Sequence, residues 1–176
     1  VHPPANSSTL DAFNHATRRI GVAAMQMDFQ DEEAFLGEVT STMIELFGLR
    51  AASVWKQRDG EIERTYARDA NGQKKTGERR VKIDLEWVGG MYDRGYGFAD
   101  KVMFAESVAV HIENGQILTV PLTADRNDLC LLAFVGGGRQ EWGSVEIDGV
   151  VALAAVVAQT LARFAIGRGA SERLRL

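Results

Sequence analysis

The sequence predicts an α+β fold in which helices at both ends enclose an antiparallel sheet. Three observations carry that prediction. The stretch 117–164 reads as strand, turn, strand, Gly-rich turn and one long apolar helix, with no room for a crossover helix between the strands. Apolar residues recur at helical spacing through much of the first 47 positions. Two dipeptides, Asp59-Gly60 and Asn114-Gly115, stand between strand-like runs as hairpin signals.

The elements follow in order. Residues 1–9 are expected to be flexible. Ser8 followed by Asp11 reads as a weak capping box for a helix over 10–27, which buries Phe13, Ile20, Ala24 and Met27. Asp31 is read as the cap of a second helix over 32–47, whose stripe is Phe35, Val39, Met43, Leu46 and Phe47. Gly48 ends it. Strands over 51–57 and 61–68 follow, with Val54, Ile62 and Tyr66 pointing inward, and then a polar loop over 69–80 containing Lys74, Lys75, Arg79 and Arg80. Leu85, Trp87, Val88, Met91 and Tyr92 predict a short helix, weakened by its glycines and followed by an irregular segment. Strands over 107–113, 116–122 and 129–135 form a meander with a turn at 124–128. Ser144 is read as the cap of the final helix, whose apolar face includes Ile147, Val150, Ala154, Val157 and Leu161. Gly167 and Gly169 are expected to weaken it before a charged tail.

Composition sets limits on function. The chain has 176 residues, which is most simply one domain with one core. With 20 basic and 24 acidic residues the net charge is −4, against a nucleic-acid footprint over the whole surface. A single cysteine, Cys130, excludes an intrachain disulfide and a Cys-rich zinc site, and fits a reducing cytoplasm. No run of about 20 uninterrupted apolar residues suggests a membrane span, so no membrane insertion is expected. The start VHPPANSS has no basic and apolar pattern of a leader and no initiator Met, so the chain is expected to be part of a longer protein.

Few residues offer chemistry. Cys130 and His111 are the candidate nucleophile and base, but two strand spacings of about 4.8 Å would hold their backbones roughly 10 Å apart. Cys130 is therefore read as a small buried hydrophobe, and His111 as an edge residue or a ligand contact. His2, His15 and His111 have no metal-binding spacing. The glycines at 95–97 and 136–138 lack the Gly-Lys-Ser/Thr of a phosphate loop. What stands out is aromatic: Trp87, Tyr92, Tyr96, Phe98 and Phe104, with Met91 and Met103. On a Gly-interrupted segment these suit a lid over an apolar pocket, with Asp93, Arg94 and Asp100 as polar neighbours. The same residues also suit a plain satellite core.

Ala51-Ala52-Ser53-Val54-Trp55, the strand at 117–122 with Pro121 near its end, the apolar run 129–135, Trp142 and the helix ending Leu161-Ala162-Arg163 together resemble a GAF domain, over about 12–168. GAF domains are small-molecule sensing and dimerisation modules of signalling proteins. The resemblance implies an antiparallel sheet with the N- and C-terminal helices on one face and a ligand-pocket segment on the other. It implies ligand-binding residues among Trp87, Met91, Tyr92, Arg94, Tyr96, Phe98, Phe104 and His111, and a dimer seam at Ile20, Val150, Val157 and Leu161. The sequence departs from three subfamilies. It has no Asn-Lys-Phe-Asp-Glu constellation of the cyclic-nucleotide binders. Cys130 is not placed in a Cys-His pair as in bilin carriers, and the methionine-sulfoxide reductases of this fold need more than one cysteine. The expectation is thus a cytoplasmic, non-enzymatic homodimeric sensory domain over 10–168. Its ligand and any cofactor are unidentified, and a tail at 169–176 leads to an attached output domain. A ligand-free dimerisation scaffold is the alternative, and a small enzyme using Cys130 a remote third.

Overall fold

The structure is a computed structural model that describes residues 5–72, 80–82, 84–99, 117–136 and 142–175. The elements are α1 (Ala5–Gln26), α2 (Glu32–Phe47), β1 (Ala51–Arg58), β2 (Glu61–Asp69), β3 (Arg80–Lys82), α3 (Leu85–Arg94), β4 (Gly97–Ala99), β5 (Ile117–Pro121), β6 (Cys130–Val135) and α4 (Ser144–Leu174). The strands make one antiparallel sheet in the order β3-β2-β1-β6-β5-β4. The α+β class and the division of its helices between the two faces are as expected.

The β1–β2 hairpin turns at Asp59 and Gly60, whose φ values of 54° and 79° are those of a two-residue turn matched to strand twist. A bulge between Val54 and Trp55 breaks the register with β2. That is why Val54 and Tyr66 face the helices while Ile62 faces the other way, although all three are buried. Two strands were not legible in the sequence. β3 emerges from the expected polar loop, and β4 from the expected irregular segment. The expected strand 107–113 and the Asn114-Gly115 turn lie outside the described residues.

α2 starts at Glu32 as expected, but the capping at three helix entries differs from expectation. α1 begins at Ala5, so Ser8 and Asp11 lie within it and do not cap it. Asp28 caps a single 3₁₀ turn ahead of α2, accepting from Gln30 N at 2.9 Å, while the Asp31 carboxylate turns back to accept from Asp28 N at 3.0 Å. Gly143, not Ser144, is the residue before α4, and its N–H donates to Glu146 Oε1 at 3.3 Å. α2 does end at Gly48, with φ +60°. α4 continues through Gly167 and Gly169 to Leu174, roughly 46 Å in all. By length and composition alone it could cross a membrane, but Ile147, Val150, Leu153, Ala154, Val157, Thr160 and Phe164 are buried in the core of this fold.

The sheet separates two cores. On one face α1, α2 and α4 pack over Val54, Tyr66, Leu118, Val120, Leu132 and Phe134. Phe35 meets Phe164 edge-on at 5.5 Å, and Phe13 lies 4.5 Å from Phe47. α1 and α4 run in the same direction. Phe13 sits over Gly149, where a Cβ would stand 2.2 Å from the ring, and further along Arg163 donates to the carbonyls of Ala24 and Met27. Ile20, Val150 and Val157, expected at a dimer seam, are at most 1% exposed inside this core and present no surface to a partner. Leu161 packs against the same core and is only partly buried.

Candidate functional site

The second face carries α3. Its first turn is capped by Asp84, whose Oδ1 accepts from Glu86 N at 3.0 Å and Trp87 N at 3.3 Å. Gly95, at φ +85°, ends it. Val88 and Met91, one turn apart, point down into an apolar layer with Trp55, Ile62, Ile117, Leu131 and Val135.

The pairing register lays out the floor. Gly97, Thr119, Ala133, Ser53 and Ala67 are successive partners across five strands. All are small and all are buried. Trp55 and Leu131 flank this row, and Arg64 lies opposite Trp55 on the same side. Gly97 gives close clearance here: a Cβ would crowd Met91 Cβ and Thr119 Oγ1 at 3.3 Å and touch Trp87 Nε1 at 3.5 Å. The hydroxyls of the row are engaged. Thr119 donates to Gly97 O at 3.0 Å, and Ser53 accepts from Trp55 Nε1 at 2.8 Å. Arg64 is 9% exposed, an uncommon position for a guanidinium.

Polar contacts pin α3 at both ends. Trp87 Nε1 donates to Phe98 O at 3.0 Å. Tyr92 OH lies 3.0 Å from Thr123 Oγ1 and donates to Asp125 O at 3.3 Å, which joins α3 to the β5–β6 turn. Arg126 stacks on the Tyr92 ring at 5.4 Å and pairs with Asp93 at 2.9 Å. Burial raises the Tyr92 phenol above its ordinary pKa, with the Thr123 hydrogen bond acting in the opposite sense.

The expected ligand set therefore divides. Trp87, Met91 and Tyr92 come together on α3. Tyr96 and Phe98 sit across the sheet, packed on the helical core, with their rings edge to face at 5.8 Å. Arg94 is exposed and stacks on Tyr96 at 5.8 Å. Phe104 and His111 lie outside the described residues. Strand alternation explains the split, since Gly97 and Ala99 take the α3 side of β4 and Phe98 takes the other. Sequence reasoning missed the floor. It consists of one small residue from each of five strands, a set that only the pairing register brings together.

Cys130 faces the helical core, 6% exposed, and burial pushes its thiol up to about 11. A thiol that stays protonated at neutral pH is a poor nucleophile. Among the described residues no group of three or more His, Cys, Asp or Glu side chains is placed to hold a metal ion. Two large clefts open on the helical side of the sheet. One of about 600 Å³ lies between α2 and β2, and one of about 640 Å³ between α4 and the β5–β6 turn.

No family model matches the sequence, and no curated protein is significantly similar to it. Solved structures do match. The GAF domain of a phosphoenolpyruvate-protein phosphotransferase from Coxiella burnetii superposes with a TM-score of 0.62 at 19% identity, over 94% of this chain and 99% of that one. Free methionine-R-sulfoxide reductase from Neisseria meningitidis gives 0.64 at 14% identity, over 88% and 91% of the two chains. The phycoerythrobilin-bound GAF domain of a cyanobacterial phytochrome gives 0.62 at 10% identity, over 91% and 97%. The chain has a GAF-like fold.

Proposed function

We propose that this chain is a cytoplasmic, non-enzymatic sensory domain that binds a small molecule between α3 and the sheet and regulates an attached output domain as a dimer. One observation carries the reading. A ten-residue helix, pinned by a few polar contacts, stands over a floor of small side chains with a buried guanidinium nearby. Small floor residues leave a ligand room once α3 shifts, and Arg64, Ser53 and Thr119 supply the few polar groups an apolar site needs for orientation. The fold neighbours support sensing in kind: they include GAF domains of a phytochrome and a phosphotransferase. The reductase neighbour does not lend its activity to a chain with one cysteine, and that one buried.

The dimer seam moves from the expected residues to the exposed apolar ones. Met25 and Ile166 are 84% and 74% exposed, at the end of the α1–α4 pair that Arg163 ties together. The double substitution Met25→Glu with Ile166→Glu should convert dimer to monomer by light scattering and leave the melting temperature of the monomer unchanged.

Ligand binding is tested by thermal melts of the chain against cyclic nucleotides, haem, bilins and amino acids. A ligand at 100 times its dissociation constant adds about 2.7 kcal/mol, a rise of roughly 5–10 °C for a domain of this size. The rise should disappear in Thr119→Val and Trp87→Ala. A flat screen supports the second reading, a ligand-free dimerisation scaffold, which the full burial of Met91 and Trp55 favours.

A further inference from the structure

The cleft of about 640 Å³ lies on the sheet face away from α3 and has a different chemistry from the floor just described. Leu122 and Cys130 of the helical core form its floor, Leu129 of the α3-side layer also lines it, and all three are nine-tenths or more buried. Its helical wall includes Ala158, Ala162 and Ala165, at spacings of four and three along α4, with Gln159 and Leu161 beside them. Three methyl groups where longer side chains would close the gap leave a trough of the size that holds a small organic molecule.

The charges around the trough decide what enters it. Arg168 is neutralised by Glu32 at 3.2 Å. The Asp125 carboxylate is engaged by its own turn, accepting from Asn127 N at 2.9 Å. Lys56, opposite Cys130 in the register, has no ion pair or hydrogen bond among the described residues. Among the described residues it is the one cation lining the trough without an ion pair, and Asp128, which also has none among them, adds a negative charge. A ligand with one negative charge gains Lys56. A second negative charge would meet Asp125, Asp128 and Glu32 with no further cation to receive it.

We propose that this cleft is a binding site for an amphipathic organic monoanion, a carboxylate on an apolar body, with the carboxylate on Lys56 and the body against Ala158, Ala162 and Ala165. It is a site separate from the α3 floor.

Titration calorimetry of the full chain with octanoate, 1-octanol and octanedioate tests it. Octanoate should bind one to one, octanol several-fold more weakly, and octanedioate more weakly still. Lys56→Met should weaken octanoate at least tenfold and leave octanol unchanged. Ala162→Phe, at an exposed position, fills the trough and should abolish binding of both. Ala165→Phe, from the same wall and also exposed, serves if the first variant melts below the wild type. Trp87→Ala, on the other face, should leave octanoate binding intact, which separates this site from the proposed sensory one. Absence of octanoate binding at millimolar concentration overturns the proposal. So does binding that survives both wall variants, or a change of oligomeric state in them that marks the cleft as a contact between copies.

Discussion

The two faces of this sheet are built from the same strands and do different things. On the helical face three long helices bring large side chains into register, and helical glycines at 37, 149 and 167 let Tyr66, Phe13 and Phe29 approach closely, most closely at Gly149. On the α3 face the strands offer Gly97, Thr119, Ala133, Ser53 and Ala67, and a single short helix covers them with contacts concentrated at its ends. The first arrangement loses dispersion contacts and opens cavities if anything moves. The second can exchange one cover for another at lower cost. A domain that must be stable and also respond can divide those duties between the faces of one sheet.

Substitutions on each face measure that division. The largest effect is expected from Val157→Glu, which puts a carboxylate at a position 1% exposed with no partner; the chain should fail to fold cooperatively, as read by loss of the thermal transition. Gly149→Val drives a branched side chain into the Phe13 ring and should cost about 3 kcal/mol by denaturant melts, despite valine's better helix propensity than glycine. If Gly149→Val is neutral, the helical face is far softer than its packing indicates.

Cys130 gives that face a pH signature. The native thiol is held up to about 11 by burial, against an ordinary value of 9.0, so the folded state keeps its proton more tightly than the unfolded chain. Its contribution is fully present below pH 9 and is lost as pH rises towards 11. The loss should be on the order of 2 kcal/mol between pH 8 and 10.5, and Cys130→Ala should reduce it. Tyr92, also raised, contributes in the same direction at higher pH, so the variant flattens the profile without abolishing its slope.

The α3 face should yield smaller effects. Tyr92→Phe removes the contacts to Thr123 and Asp125 and should cost about 1 kcal/mol, with faster amide exchange in α3 than in α4 as the sharper readout. Asp93→Ala breaks an ion pair whose partners are 53% and 72% exposed, and should shift the melting temperature by roughly a degree or less. A large loss of stability in either variant would mean that α3 belongs to the global folding unit.

Much of the fold was legible because periodicity is a local property. The stripes Phe13, Ile20, Ala24, Met27 and Phe35, Val39, Met43, Leu46, Phe47 mark the apolar side of α1 and α2; all are buried except Met27 and Leu46, which pack on the core only partly buried. Asp59-Gly60 and Gly48 fix a turn and a stop, because each needs a positive φ that few residues adopt at low cost. Other features depend on neighbours distant in sequence. Asp28 rather than Asp31 caps the turn into α2, because the entry path of the chain decides which side chain reaches the free amides, and at α4 the residue before the helix is Gly143, which makes no side-chain cap. Ile20, Val150 and Val157 form an apolar face in either reading, whether a dimer seam or a core. Only the packing of α1, α2 and α4 on the sheet assigns them to the core.

The aromatic segment makes the same point at the candidate site. Its composition marks 87–98 as unusual, but composition carries no direction. β4 pairs with β5 and turns Phe98 to one face and Gly97 to the other, parting it from Met91 and Trp87 by the thickness of the sheet. By itself the sequence determined the apolar faces, the breakers and the fold class, since each follows from side chains a few positions apart. Tertiary structure alone decided what each face meets. Burial and pairing depend on strands brought together across long stretches of chain, such as β1 and β6, whose partners lie 74 to 84 residues apart, and no local pattern records that distance.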